Sequence, residues 1–409
     1  MKRLMSLTLA ILLALAAVQA VGAQAETTLT FVRIGNDEPE KLFWLDVIAQ
    51  FEAENPGIRV QYDDAGIGGA MDTKLNTLFD ANIGPDIIGH GILSVASRVE
   101  QGHYQAIDGL FNTWEGKDDL MPSVLANGTY KGQVYGLGYS VTPYIFAYRI
   151  DLFEQAGITR APETWEELAR DARLLTIRDE KGDITQSGFC FPQSGGNMVE
   201  FDVFVYGNGG AFMDADGNPT LGTPEQVEAM DFLKGLLKDV NIPYDNNTNN
   251  PFLRGNAAMT LINNAELRSL LGKPEYAGKI GVAMPPRNKT MATFSGCNML
   301  FIGRDCKNPE AAFRFISFVL SPEIMMKRAR DLNVPVTRSS LLKQFVALDP
   351  YNAVRYDCVL HGTGMPRTLW SSTFQRLRNE AVQNALYGGM DAQAALQAAQ
   401  EELLAEMVR

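Results

Sequence analysis

Carboxylates, amides and aromatic rings fall at places where a folded chain could gather them on one surface. Asn36, Asp37 and Glu38 directly follow the apolar run TLTFVRIG. His90 stands between two glycines in GPDIIGHG, and Thr142, Pro143 and Tyr144 interrupt the aromatic stretch YSVTPYIFAYRIDLF. Glu200 and Asp202 lie in NMVEFDVFVYGNGG, Asn263, Asn264 and Glu266 in INNAE, Gly296 and Asn298 in SGCNM, and Trp370 in RTLWSST. Carboxylates and amides take hydroxyls in paired hydrogen bonds, and aromatic faces cover the C–H surfaces of a polyhydroxylated molecule. Two neighbouring acids also raise glycoside hydrolysis as a chemistry, with Glu200 and Asp202 as the acid pair. Each group has a plainer use: a helix cap for Asn36 to Glu38, a structural histidine for His90, a solvated helix face for Glu200 and Asp202, a core position for Trp370.

Motifs for other chemistries are missing. No G-x-S-x-G, H-E-x-x-H or C-x-x-C occurs, and GIGGA lacks the frame of a phosphate loop. DADGN fails as a calcium loop because the sixth position from Asp214 is Pro219 rather than glycine. The chain therefore reads as a binder rather than an enzyme, with neither a metal nor a cofactor.

The elements that must position these groups follow from periodicity. TLTFVRIG alternates as a strand, EKLFWLDVIAQFEAEN is helical and ends at Pro56-Gly57, and IRVQYDD is a second strand. A strand–helix–strand unit implies a parallel sheet, and ligands of open parallel sheets sit at the carboxyl ends of strands. The polar turns after TLTFVRIG and after GPDII both lie at such ends. Further on, MDTKLNTLFDANI and APETWEELARDARLLT read as helices, SGFCF, AAMTLI, GVAMPP and CNMLFIG as strands, and Trp44 and Trp165 as core residues.

Length and charge narrow the class. The first residues combine MKR, a long apolar run and the small-x-small site AQA at Ala23 to Ala25, the form of a secretory signal peptide over residues 1–25. No later run is long and apolar enough to span a bilayer. What remains suits two domains. The formal net charge of the whole chain is −12, without a lysine or arginine cluster, which argues against nucleic acid and anionic membranes as partners. Four cysteines, 190, 297, 306 and 358, allow three pairings in an oxidising compartment. The extended run between Cys297 and Cys306 spans roughly 30 Å, against the roughly 7 Å a bridge tolerates, so a disulfide, if formed, is expected first at Cys190 or Cys358.

The order of these pieces resembles the extracellular solute-binding proteins of ABC importers, in the sugar-binding group that contains the maltose-binding protein. FEAENPGIRVQY, GPDII, YSVTPYIFAYRIDLFEQAGITRAPETWEELARDARLLT, GNAAMTL, KNPEAAFRFISFVLSPE and NVPVTRSSL carry the resemblance, over nearly the whole chain after the signal. It implies an α/β fold of two lobes, each a mostly parallel sheet flanked by helices, with a ligand cleft between them. The first lobe would hold residues 26–140 and 292–334, the second 141–291 and 335–409, with Thr142-Pro143 at a crossing. It also implies a periplasmic monomer that closes on a sugar or polyol by hinge motion and presents it to the transmembrane subunits of a permease. His90 stands where the family's maltodextrin binders carry a stacking tryptophan, and INNAE where sugar binders place an aromatic; both departures point to a smaller or more polar ligand. Arg338 and Arg367 near the crossings keep open an anionic ligand, such as glycerol phosphate or a sugar acid. A sensory protein that docks on a receptor remains a further reading.

Overall fold

β1 (Thr27–Arg33) lies between β2 (Ile58–Asp64) and β3 (Ile87–Gly91) and is parallel to both. These are the first residues of a computed structural model that describes residues 27–66, 69–195, 197–246 and 249–407. The signal peptide expected over 1–25 lies outside the described residues. Between β1 and β2 runs α1 (Glu38–Glu54), which buries Phe43, Trp44, Val47, Ile48 and Phe51. Those positions recur at three- and four-residue steps, so one face of the helix covers the sheet. Trp44 meets Phe31 of β1 edge-on at 5.1 Å. α2 (Gly69–Asp80) returns the chain from β2 to β3.

The chain then leaves the first core by a direct route. β4 (Gly136–Pro143) runs into β5 (Ile145–Arg149), with Tyr144 the one residue between them. Leu137 and Tyr139 of β4 pack in the first core, whereas Phe146 of β5 packs in the second. The second core adds α3 (Trp165–Leu175), α4 (Val199–Gly207) and α5 (Pro224–Val240). All nine residues of α4 are buried, as expected of a helix that is apolar almost all round. β6 (Met259–Ile262), α6 (Asn264–Leu271) and β7 (Ile280–Ala283) complete the second sheet, in which β5 is antiparallel to both neighbours. The two-lobed α/β plan expected from the sequence is present, but the second sheet is not mostly parallel. β5 comes straight from a strand, so no crossover helix precedes it and parallel pairing is not imposed. SGFCF does not form a regular strand; Cys190 nevertheless donates its backbone N–H to Met259 at 2.9 Å, alongside β6.

β8 (Thr293–Ile302) recrosses to the first sheet, antiparallel to β3 and β4. Ten extended residues reach about 33 Å, enough to touch both cores. Phe294 near its start packs in the second, and Leu300 and Ile302 at its end pack in the first. α7 (Pro309–Val319) and α8 (Pro322–Leu332) cover the first sheet. Residues from 335 onward were expected in the second lobe, yet Val336, Leu341 and Phe345 join the first core. Thr337 donates to the Gly138 carbonyl at 2.9 Å and Arg338 pairs with Asp119 at 2.7 Å, so this segment belongs with β4. The chain reaches the second core with α9 (Asn352–Leu360), whose Cys358 is buried there. β9 (Gly362–Thr363) pairs with the start of β8, and α10 (Ser371–Leu386) and α11 (Ala392–Met407) close the chain as a packed pair. All four cysteines are free and buried, so the expected pairing of Cys190 or Cys358 does not occur; Cys358 instead lies against the Met284 sulfur at 3.2 Å.

One buried cation joins the crossings. Arg355 of α9 is fully buried and donates to the side chains of Asn264 (2.7 Å), Asn352 (2.7 Å) and Asn333, and to the Asn333 carbonyl. Asn264 passes the connection on to the Val141 carbonyl of β4 at 3.0 Å. Arg355→Met should lower the free energy of unfolding by about 3 kcal/mol in urea titration, because several buried acceptors lose their donor at once. A midpoint equal to the parent's would remove Arg355 from this role.

Candidate functional site

The seam between the cores is built by β4 and β8. Thr142 pairs with Gly296 and Pro143 with Ser295. The ladder continues past the proline, since Tyr144 donates its N–H to Phe294 at 2.9 Å and its carbonyl accepts from Thr293 at 2.7 Å. Proline needs no donor at a position where the strand changes sheets. Gly296 is half-buried, and a methyl group there would make ordinary contact with the Phe294 ring at 3.6 Å without a clash. Asn298 is half-buried and pairs with Gly91 across from β3, next to His90.

On the second-core side, Tyr144, Glu200, Asn263 and Glu266 come together. Glu200 stands in the first turn of α4 and is 3 % exposed; one carboxylate oxygen accepts from Asn246 at 2.8 Å, and the other, Oε2, is buried without a hydrogen-bond partner among the described residues. Burial pushes its carboxyl up to about 7, with Glu266 adding to the rise. Burial also raises Glu266, which accepts from Asn250 at 3.1 Å and closes a capping box with Asn263 at the start of α6. The Tyr144 phenol is raised well above its ordinary range, first by burial and then by Glu200 and Glu266, with a hydrogen bond from Asn263 opposing. Four polar residues thus crowd one wall, and its acceptors outnumber its donors.

Asp202 does not join them. Two residues along a helix is a rotation of about 200°, so its carboxylate faces away from that of Glu200. It pairs with Arg378 at 2.9 Å in complete burial. Neither acid lies on a solvated helix face, and the paired-acid geometry of a glycoside hydrolase is not formed by these two. Asn264 is likewise committed, to Val141 and Arg355. Trp370, expected as a stacking platform, is 7 % exposed and lies edge-on to Phe374 at 5.7 Å, because the first turn of α10 sets the two rings one helical turn apart inside the second core.

On the first-core side, Asn36 and Glu38 are exposed, and Glu38 faces Lys41 at 3.8 Å. Asp37 pairs with Arg268 of α6. His90 is buried; its Nδ1 accepts from the Gly91 N–H at 2.8 Å, which puts the ring proton on Nε2. Among the described residues that Nε2 has no hydrogen-bond partner, and it stands 3.6 Å from Asp72. His90 and Arg98 together hold the Asp72 carboxyl down at about 2. Sequence reading missed Asp72, Asn246, Asn250 and Arg268. Asn246 and Asn250 were visible as the amide-rich run DNNTNN, which has no periodicity; the others sit in ordinary helix or loop patterns. Arg338 is taken by Asp119, whereas Arg367 is half-buried and donates to Asn127 at 2.6 Å. Among the described residues, no group of three or more His, Cys, Asp or Glu is arranged to hold a metal. A surface hollow of about 770 Å³ lined by Trp165, Phe232 and Glu228 shares no residue with either wall.

A family model described as bacterial extracellular solute-binding protein matches residues 35–326. The mannitol-binding protein of Pseudomonas aeruginosa is 26% identical over 429 residues, an alignment that covers 95% of this chain and 94% of that protein. The crystal structure of an ABC transporter solute-binding protein from Agrobacterium radiobacter K84 in complex with ribitol is 26% identical, has a TM-score of 0.77, and covers 93% of this chain and 99% of that one. A solute-binding protein from Thermotoga lettingae, bound with α-D-tagatose, superposes with a TM-score of 0.82 over 92% of this chain and 98% of its own, at 24% identity, a likeness of fold.

Glu200 carries a pH signature. Its folded value, about 7, lies above the ordinary 4.5, so the fold retains a proton that the unfolded chain has released. Stability from this group is full below about 4.5 and is lost as pH rises through about 7. Glu200→Gln should therefore lose less stability than the parent between pH 5 and pH 8, by up to about 3 kcal/mol in urea unfolding. Parallel pH profiles would contradict the burial of a partnerless carboxylate.

Proposed function

Because the chain belongs to the bacterial extracellular solute-binding proteins, we propose that it captures a sugar or polyol between its two lobes and delivers it to the transmembrane subunits of an ABC permease. The observation that carries this reading is the unpartnered Glu200 Oε2 beside Tyr144 and Glu266. A wall rich in buried acceptors suits a ligand that brings hydroxyl donors. The mannitol-binding relative and the ribitol complex support a polyol in particular. Thr142, Tyr144, Glu200, Asn263 and Glu266 would take the ligand from one side, and His90, Gly296, Asn298, Asn36 and Glu38 from the other; Asp37, expected with them, is engaged by Arg268. A ligand that touches both lobes selects the closed arrangement, and no chemical step is required.

We divide the lobes at residues 26–140 with 292–346 and 141–291 with 347–409, moving the second boundary past Phe345 because of its packing. The site of action is the periplasm, after cleavage near Ala25, with the protein acting as a monomer. A second reading, an anionic sugar acid or polyol phosphate, rests on Arg367, which has Asn127 rather than a carboxylate as its partner.

Thermal-shift and calorimetric screening against mannitol, ribitol, tagatose and sugar phosphates tests the choice. Neutral polyols should stabilise the fold, by about 2.7 kcal/mol at a ligand concentration one hundred times Kd. Glu200→Ala should weaken that binding about tenfold or more, and Arg367→Ala should leave it unchanged. Stabilisation by phosphates alone, abolished in Arg367→Ala, would establish the anionic reading instead.

A further inference from the structure

α1 opens on Asp37-Glu38-Pro39-Glu40, with an acid at the N-cap, proline in the first turn and glutamate three residues on. That spacing suits a capping arrangement in which both acids serve the helix's own free N–H groups. Neither does so. Asp37 is the N-cap residue but makes no side-chain cap hydrogen bond. Glu40 is held between Arg33 at 3.0 Å and Arg328. The Asp37 carboxylate turns to Arg268.

Arg268 is rooted on the other side. It stands on α6, whose Leu267 and Leu270 are fully buried in the second core and whose start is fixed by the Asn263–Glu266 capping box. Its guanidinium grips the first core twice, through Asp37 and through a 3.0 Å hydrogen bond to the Leu332 carbonyl at the end of α8. The side chains are 21 % and 37 % exposed, so dissolved salt reaches the pair. This contact neighbours the Arg355 network, which meets the next residue along, Asn333, but unlike the fully buried Arg355 guanidinium it is open to solvent.

We propose that the Asp37–Arg268 pair is an interlobe clasp that draws the unliganded lobes together and sets how far they open. The inference rests on the two-lobed hinge reading above. It gives Asp37 a task other than ligand contact, and Arg268 an influence on affinity without touching the ligand. A ligand binds the closed arrangement, so whatever stabilises that arrangement beforehand raises apparent affinity.

Small-angle scattering of the ligand-free protein at 50 and 500 mM sodium chloride tests the clasp for the parent, Asp37→Asn, Arg268→Gln and the charge-swapped double variant Asp37→Arg/Arg268→Asp. The parent should expand as salt rises. Each single variant should be expanded already at low salt and respond little to more, and the charge swap should restore both the compact radius and its salt response. The parent's salt response needs no variant and decides the matter even if one fails to fold. An unchanged radius in the parent and both single variants, or a double variant as expanded as the singles, overturns the proposal. No ligand enters the measurement, so failure of the polyol assignment leaves it standing, and failure of the clasp leaves the thermal-shift result untouched.

Discussion

A guanidinium sealed from water whose hydrogen bonds go to amide and carbonyl oxygens is an expensive group to bury. Arg355 persists because every acceptor it meets belongs to a different strand or helix near the crossings: Asn264 at the head of α6, Asn333 beyond α8, Asn352 in its own helix. Through Asn264 the network also holds Val141, one residue before the chain changes sheets. The two cores are thus tied where the chain passes between them. Elsewhere the lobes are free to be governed by weaker contacts, of which the exposed ion pair between Asp37 and Arg268 is one.

The same contrast between committed and uncommitted polar groups separates scaffold from site. Asp202 is as buried as Glu200, and its Oδ2 too is without a hydrogen-bond partner among the described residues, but its Oδ1 is held by the Arg378 guanidinium at 2.9 Å, a charged partner that Glu200 lacks there. Glu200 has one oxygen on Asn246 and the other without a hydrogen-bond partner among the described residues. A buried acceptor without a donor destabilises the fold by itself. Its persistence next to Tyr144 and Glu266 is understandable if a ligand hydroxyl completes it. His90, in the first lobe, carries its proton on Nε2 because Nδ1 accepts from Gly91, and that Nε2 stands 3.6 Å from Asp72.

Much of the architecture was legible in the sequence because it follows local rules. Phe43, Trp44, Val47 and Phe51 recur at helical steps, and the strand–helix–strand order forces β1 and β2 to be parallel. Thr142-Pro143 marked the crossing, since proline cannot donate inside a central ladder. Tyr144, Glu200, Asn263 and Glu266 were among the candidates named from residue type and family resemblance, and the fold sets them near one another; their ligand role is proposed. The second lobe's antiparallel sheet and the return of residues 335–345 to the first core were not legible. Both depend on which apolar face finds which partner across long separations, and one strand's pattern does not name its neighbour.

The sequence by itself determined the elements, the two-part division with its crossing, and a stock of carboxylates, amides and aromatics suited to hydroxylated ligands. Only the tertiary structure decided which of them are available. It turned Asp202 away from Glu200 by helical rotation, enclosed Trp370 against Phe374, spent Asn264 on Arg355 and Asp37 on Arg268, and left one oxygen of Glu200 without a partner. The reason is physical: residue type sets how many hydrogen bonds a side chain can make, but only long-range packing determines which partners are within reach.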